Sequence, residues 1–307
     1  MSVTTVSRPA TSRRAAYALL ACSISIGSFA FTLVKVALRD LSPLGLATGR
    51  VVVSALVFVT VVARTGAHRQ HILPEHRMRV FLCGLGGSAV FHILFSWGQQ
   101  HASVAIAAVV MATFPVLVAV GEVLFLGHRL RRRHTAGLAL TTAGCVAIGL
   151  ASTGGTSTLA GALAIGGATL TWAAVTVATR SITDLYDPWW LNTPGTVAGA
   201  ILMLALDGRH LGDFTHLSLK GWLVVIWLGS ASSAFIYFVM ARVMTVVSAT
   251  TASSLGTIVT PTSVMVAWVV LGDAPTWREV LGGVVVITGV VLVTRTPPTQ
   301  MDTILEP

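Results

Sequence analysis

The chain has 307 residues, of which 54% are hydrophobic and only 10% charged, with a mean hydropathy of +0.81. A soluble domain carries roughly a quarter of its residues as charged groups, so a water-soluble core is excluded. The net charge of +9 does not mark a nucleic-acid surface, because the arginines fall in short runs between apolar segments, the pattern of the positive-inside rule.

A helix needs roughly 20 apolar residues to cross the hydrocarbon, and runs of that order fall at 15–36, 44–63, 80–98, 103–126, 136–152, 160–179, 189–206, 221–241, 249–271 and 279–294. The expected fold is an all-α integral membrane protein with ten transmembrane helices. The first run follows Arg13-Arg14 and contains Leu19-Leu20-Ala21-Cys22, which has the form of a leader with a cleavage box. It continues unbroken to Val34, too long for the apolar region of a leader, and is read as a mature helix. Cys22, Cys83 and Cys145 lie inside apolar runs without ligand spacing, so neither a disulfide framework nor a metal site is expected. The loop histidines His68, His71 and His76 share their loop with Arg64, Arg69, Arg77 and Arg79, which repel a cation.

With the N-terminus inside, one face carries fourteen arginines (8, 13, 14, 64, 69, 77, 79, 129, 131, 132, 133, 180, 242 and 295) and the other only Arg39, Arg209, Lys220 and Arg278. This asymmetry predicts cytoplasmic termini and an even number of spans. Trp189, Trp190, Trp222 and Trp277 stand at predicted span ends, as interfacial anchors. Eighteen of the twenty basic residues are arginine, which points to a GC-rich bacterial genome and so to the inner membrane. The tail 297–307, with Pro297-Pro298 and no apolar period, is expected to be disordered.

A self-similarity at one offset organises the whole chain. Pro43 + 145 gives Pro188, Gly127 + 145 gives Gly272, and Gly137 and Gly144 return as Gly282 and Gly289. The chain is therefore divided into a segment 1–14, a first repeat 15–153, a second repeat 160–296 and the tail. With five spans each, the second repeat runs upside down relative to the first, an architecture of many secondary transporters around a central cavity. The seven-residue spacing of the paired glycines predicts a close helix seam, and a possible homodimer face through Gly137/Gly144 and Gly282/Gly289.

Charge at mid-span costs at least about 2.5–3.5 kcal/mol, which singles out a short list. Lys35 stands near the outer end of span one, where it is free to snorkel, and Arg180 is its counterpart 145 residues on, so the two are candidates for matched gates. Arg50 lies about two turns into span two and must find a carboxylate, helix carbonyls or a lipid phosphate. Glu122 is the one acid well inside a span and the candidate for proton coupling, against the alternative of a salt-bridged group near the surface. His92, Trp172, Tyr237, Thr257, Lys35 and Arg50 are candidates for the substrate cavity, with helix packing as the ordinary explanation of the first four, snorkelling that of Lys35 and bracing of a helix end that of Arg50. Pro115 and Pro261 interrupt spans four and nine and are expected to bend them.

In this order, Ile26-Gly27-Ser28, Lys35, Leu41-Ser42-Pro43, Arg50, Ala102-Ser103, Ala107-Ala108, Pro115 and Leu126-Gly127, then Trp172-Ala173, Pro261, Leu271-Gly272-Asp273-Ala274-Pro275 and Gly282, the chain resembles the EamA-type transporters of the drug/metabolite transporter superfamily from about 15 to 295. It departs where the family usually has glutamate after Leu-Gly, with His128 and Asp273 instead. The resemblance implies a cavity lined by spans one, three, four, six, eight and nine, spans five and ten packed outside, no cofactor, and export of amino acids or other small metabolites. Two other classes fit the sequence less well. An intramembrane aspartyl protease fails because Leu271 stands where its motif needs glycine and Asp187 and Asp273 are predicted at opposite faces. A receptor or scaffold has no appended soluble domain to support it, so no enzymatic activity is expected.

Overall fold

The computed structural model describes residues 12–102, 104–127, 132–151, 158–208, 211–271 and 276–295. Both departures from the family pattern, His128 and Asp273, and the 297–307 tail lie outside them.

Among the described residues the chain is helical, in an order that runs twice. Helix α1 (Arg13–Ala37) is matched by α8 (Leu159–Arg180), and α2 (Pro43–Thr65) by α9 (Pro188–Leu206). Next comes α3 (Pro74–Leu85), which passes through a π-helical stretch, Gly86–Val90, into α4 (Phe91–His101). Its match is α10 (Leu219–Gly229), a π-helical stretch Ser230–Phe235, and α11 (Ile236–Val243). The broken pair α5 (Val104–Met111) and α6 (Phe114–Leu126) is matched by α12 (Ala249–Gly256) and α13 (Val259–Leu271), and α7 (Arg132–Ala151) by α14 (Trp277–Thr294). Among the described residues eight segments are long and apolar enough to cross a membrane, with Pro74–His101 and Leu219–Val243 each forming one such segment. Helix α7 and the α12–α13 unit are the two expected spans outside that group.

Local chemistry explains the helix limits. Ser42 accepts from the Gly45 amide at 3.0 Å and Asp187 from the Trp189 amide at 2.9 Å. Each is followed by proline in the first turn, where a missing N–H costs nothing. Thus α2 and α9 begin with the same device 145 residues apart. Gly66 and Gly127 end α2 and α6 with φ of 72° and 69°, a left-handed cap that a side chain adopts only at a cost. Thr276 and Glu279 close a capping box on α14.

Pro115 and Pro261 do not bend continuous helices as expected. The chain breaks just before each one, at Ala112–Thr113 and at Thr257–Ile258, and hydrogen bonds there tighten to three-residue turns. Both prolines then sit in the first turn of the next helix, the position that tolerates them best. A break leaves more backbone groups free than a bend does.

The halves interlock through two equivalent crossings. A Cβ on Gly84 of α3 would stand 2.6 Å from Gly195 Cα of α9, and its counterpart Gly229 (84 + 145) packs on α2 with the Arg50 carbonyl 2.9 Å from the same imagined atom. Helices α7 and α14 pair along their length. A Cβ on Gly144 would lie 2.7 Å from the Gly282 carbonyl, and one on Gly137 2.8 Å from that of Gly289. The predicted glycine seam is therefore internal to one chain. This corrects its reading as a dimer face, because the close-approach surface of Gly137/Gly144 is already filled by Gly282/Gly289.

Candidate functional site

Residues in and next to the two π-helical stretches, joined by the His92–Ser233 and Tyr237–Gly87 hydrogen bonds, carry the site. Arg50 of α2 is 3% exposed. Its Nη2 donates to Ser233 Oγ at 3.2 Å, while Nε and Nη1 are buried without a hydrogen-bond partner. Ser233, from the second π stretch, also donates to the Leu228 carbonyl five residues back at 3.0 Å, a bond made available by the wide π turn.

His92 follows the first π stretch and is buried. Its Nδ1 lies 2.7 Å from the Ser88 carbonyl and its Nε2 3.0 Å from Ser233 Oγ. A carbonyl only accepts, so Nδ1 carries the proton and Nε2 of the neutral ring is an acceptor, and the single Ser233 proton serves either Nε2 or the Leu228 carbonyl at one time. Tyr237 OH donates to the Gly87 carbonyl at 2.7 Å and lies 3.3 Å from His92 Nδ1.

Aromatic rings close one side. Trp172 of α8 lies over Tyr237 with ring centres 4.7 Å apart and against Phe91 at 5.6 Å, and Phe91 stacks on Phe95. A Cβ on Gly87 would come within 3.3 Å of the indole, so a side chain there would crowd Trp172.

This grouping follows the repeat. Ser88 + 145 is Ser233 and His92 + 145 is Tyr237; the two rings meet, whereas the Ser88 hydroxyl turns to the Gly84 and Gly195 carbonyls and only its backbone carbonyl reaches His92. Sequence reading picked out His92, Trp172, Tyr237 and Arg50 but missed both serines and both π stretches. The same offset that matched the glycines would have paired the serines.

The other candidates stand elsewhere. Lys35 Nζ donates to the Gln99 and Ala102 carbonyls at 2.5 and 2.9 Å, complementing the C-terminal end of α4. Arg180 pairs instead with Asp184 at 3.3 Å, so the two repeat-related positions have different partners. Thr257 sits in the α12–α13 break and bonds the Ser254 carbonyl at 2.6 Å, outside the polar cluster. Nearby, Ser28 of α1 and Thr262 of α13 share a hydrogen bond of 2.5 Å.

Glu122 of α6 is 2% exposed. It accepts from the Ala249 and Thr250 amides at 3.1 and 3.2 Å and from the Thr250 hydroxyl. It thereby holds the N-terminus of α12, whose remaining open amide is taken by Ser248. No group of three or more metal-ligating side chains is assembled among the described residues. Two grooves, of 440 and 310 Å³, lie on the outer face of α7–α14 and along α1 beside Trp227. Neither is lined by Arg50, His92, Ser233 or Tyr237, which are buried.

Comparison with known proteins agrees with this architecture. The model of the EamA-like transporter family matches twice, over 14–150 and 159–295. The chain is 26% identical over 280 residues to an uncharacterized transporter of Archaeoglobus fulgidus, covering 90% of this chain and 98% of that one. It is also 26% identical over 286 residues to a probable terminal-alkyne amino-acid exporter of Streptantibioticus cattleyicolor, covering 92% and 94%. A crystal structure 21% identical in sequence superposes with a TM-score of 0.76 over 92% of this chain and 97% of its own, which speaks for the fold alone. With matches over both halves and a helix order that runs twice, this multi-pass membrane protein belongs to the EamA-like transporter family.

Proposed function

We propose that the chain is a secondary transporter that exports a small organic metabolite, an amino acid or a related compound, across the bacterial inner membrane. In this reading the chain crosses the bilayer ten times with both termini in the cytoplasm, as two inverted five-helix repeats. Solute binds where the repeats meet and is exposed alternately to each side.

The observation that carries the proposal is the buried cluster to which both halves contribute, His92 and the Ser88 carbonyl from the first and Ser233 and Tyr237 from the second. Polar groups this deep in a membrane bundle are expensive unless used, and a site on the internal symmetry axis changes access when the halves rock. His92, Trp172, Tyr237 and Arg50 line the solute site in this reading. The breaks before Pro115 and Pro261 and the α1–α13 contact beside Thr257 serve as flexing points. Lys35, fastened to the end of α4, moves with the outer gate. Glu122 is the proton-coupling group, since protonation removes the charge that holds the α12 N-terminus. The similarity to an amino-acid exporter supports the solute class.

The test is counterflow in proteoliposomes of the purified full chain, with labelled L-phenylalanine and L-leucine outside and the unlabelled compound inside. Accumulation that depends on the protein and on internal solute is expected. Its absence for both compounds overturns the amino-acid reading.

A further inference from the structure

Arg50 poses a specific problem of charge. Its guanidinium is buried in the middle of the bundle, yet only Nη2 has a partner, and that partner is a neutral hydroxyl. Nε has one N–H and Nη1 two, so three of five donors point into protein with no acceptor. A buried cation normally carries a counter-ion or a full set of hydrogen bonds.

No ion pair joins Arg50 to an acid among the described residues: Glu122 is engaged at the start of α12, Asp184 pairs with Arg180, Asp187 caps α9 and Glu279 caps α14. The residues around Arg50 are His92, Ser233 and Tyr237, whose polar atoms are hydrogen-bonded to one another and to the Ser88, Leu228 and Gly87 carbonyls. They are neutral, and they leave the guanidinium its charge. One wall of the same cluster is aromatic, with Trp172 lying over Tyr237.

We propose that Arg50 is the receptor for a carboxylate of the transported solute, and that the Trp172–Tyr237 face receives its apolar portion. A guanidinium matches a carboxylate with two parallel N–H···O bonds. The bundle thus holds a fixed positive charge whose counter-ion is the cargo. The pairing sets a selectivity rule: a solute whose carboxylate is replaced by a neutral amide of the same shape leaves the buried charge uncompensated and is rejected.

This assignment rests on the transport reading above, and the experiment separates the two. Purified full-length protein is tested with the pair 3-phenylpropanoate and 3-phenylpropanamide, and with L-phenylalanine and L-phenylalaninamide, by ligand-induced shift of the melting temperature and by counterflow in proteoliposomes. The acid of each pair is expected to bind at least tenfold more tightly than its amide. Arg50→Gln should remove that preference, and Arg50→Lys, which keeps charge without the two-pronged geometry, should restore part of it. If Arg50→Gln does not fold, the wild-type acid-to-amide ratio decides. Acids and amides moving equally well would leave transport standing and overturn the Arg50 proposal. Counterflow of 3-phenylpropanoate without any amino acid would support Arg50 and overturn the amino-acid reading. Binding and movement of none of the four compounds overturns both.

Discussion

At the scale of single residues, burial separates groups that a sequence treats alike. Trp172 touches Tyr237, Phe91 and the glycine at 87. Stacking of this kind contributes about 0.5–1.5 kcal/mol beyond the area buried, a factor of roughly two to ten in affinity. Trp172→Ala is therefore expected to weaken L-phenylalanine-induced thermal stabilisation by that factor while the unliganded melting temperature changes little. A large drop in stability with an intact ligand response would make Trp172 a packing residue. Glu122 presents a sharper case. Its carboxylate accepts three hydrogen bonds, and Glu122→Gln turns one acceptor into a donor facing donors. A stability loss of about 1–3 kcal/mol is expected, read as a lower melting temperature. Transport by this variant should also lose its pH dependence, and an unchanged pH profile would remove Glu122 from coupling.

At the scale of elements, glycines divide into those that permit a backbone angle and those that permit an approach. Gly127 has a φ of 69° and open space around its missing Cβ. Asparagine tolerates that conformation, so Gly127→Asn should be nearly silent. Gly144 sits against the backbone of α14, with a Cβ 2.7 Å from both the Gly282 carbonyl and the Val286 amide. Backbone cannot move aside as a flexible side chain can, and Gly144→Ala should cost about 1–3 kcal/mol by forcing α7 from α14. Thermal melts of the two purified variants check the contrast. A Gly144→Ala protein that melts like wild type would show the seam to be looser than its geometry.

At the scale of the whole molecule, the arginine asymmetry and the doubled helix order make a topological prediction. A reporter fused after Asp40 should be found outside the cytoplasm, and one fused after Arg64 inside it. Activity of a cytoplasmic reporter at the first site, or of an external one at the second, reverses the orientation. Interlocking of α3 on α9 and of α10 on α2 ties the halves at two related places. His92 and Tyr237 make the polar contact between equivalent side chains of the two repeats in the cluster.

The sequence by itself determined the class and the symmetry, because both follow from patterns along the chain. Hydropathy is set by each residue's own transfer free energy, and the offset of 145 needs no knowledge of contacts. Helix ends were also legible at Ser42-Pro43 and Asp187-Pro188, since capping is local. What each polar residue does was left to the tertiary structure. Lys35 and Arg180 are equivalent in the sequence, but one meets the end of α4 and the other an aspartate on its own turn. Prolines that promise a bend instead follow a break, and the glycines that suggested a second chain face each other within the first. Neither π stretch has a hydropathy signature, because one inserted residue in a helix leaves its composition unchanged. Only the folded bundle brings Ser233 to His92 across 141 positions and leaves Arg50 beside them with donors unfilled, because burial and partnership belong to the packing of helices distant in sequence.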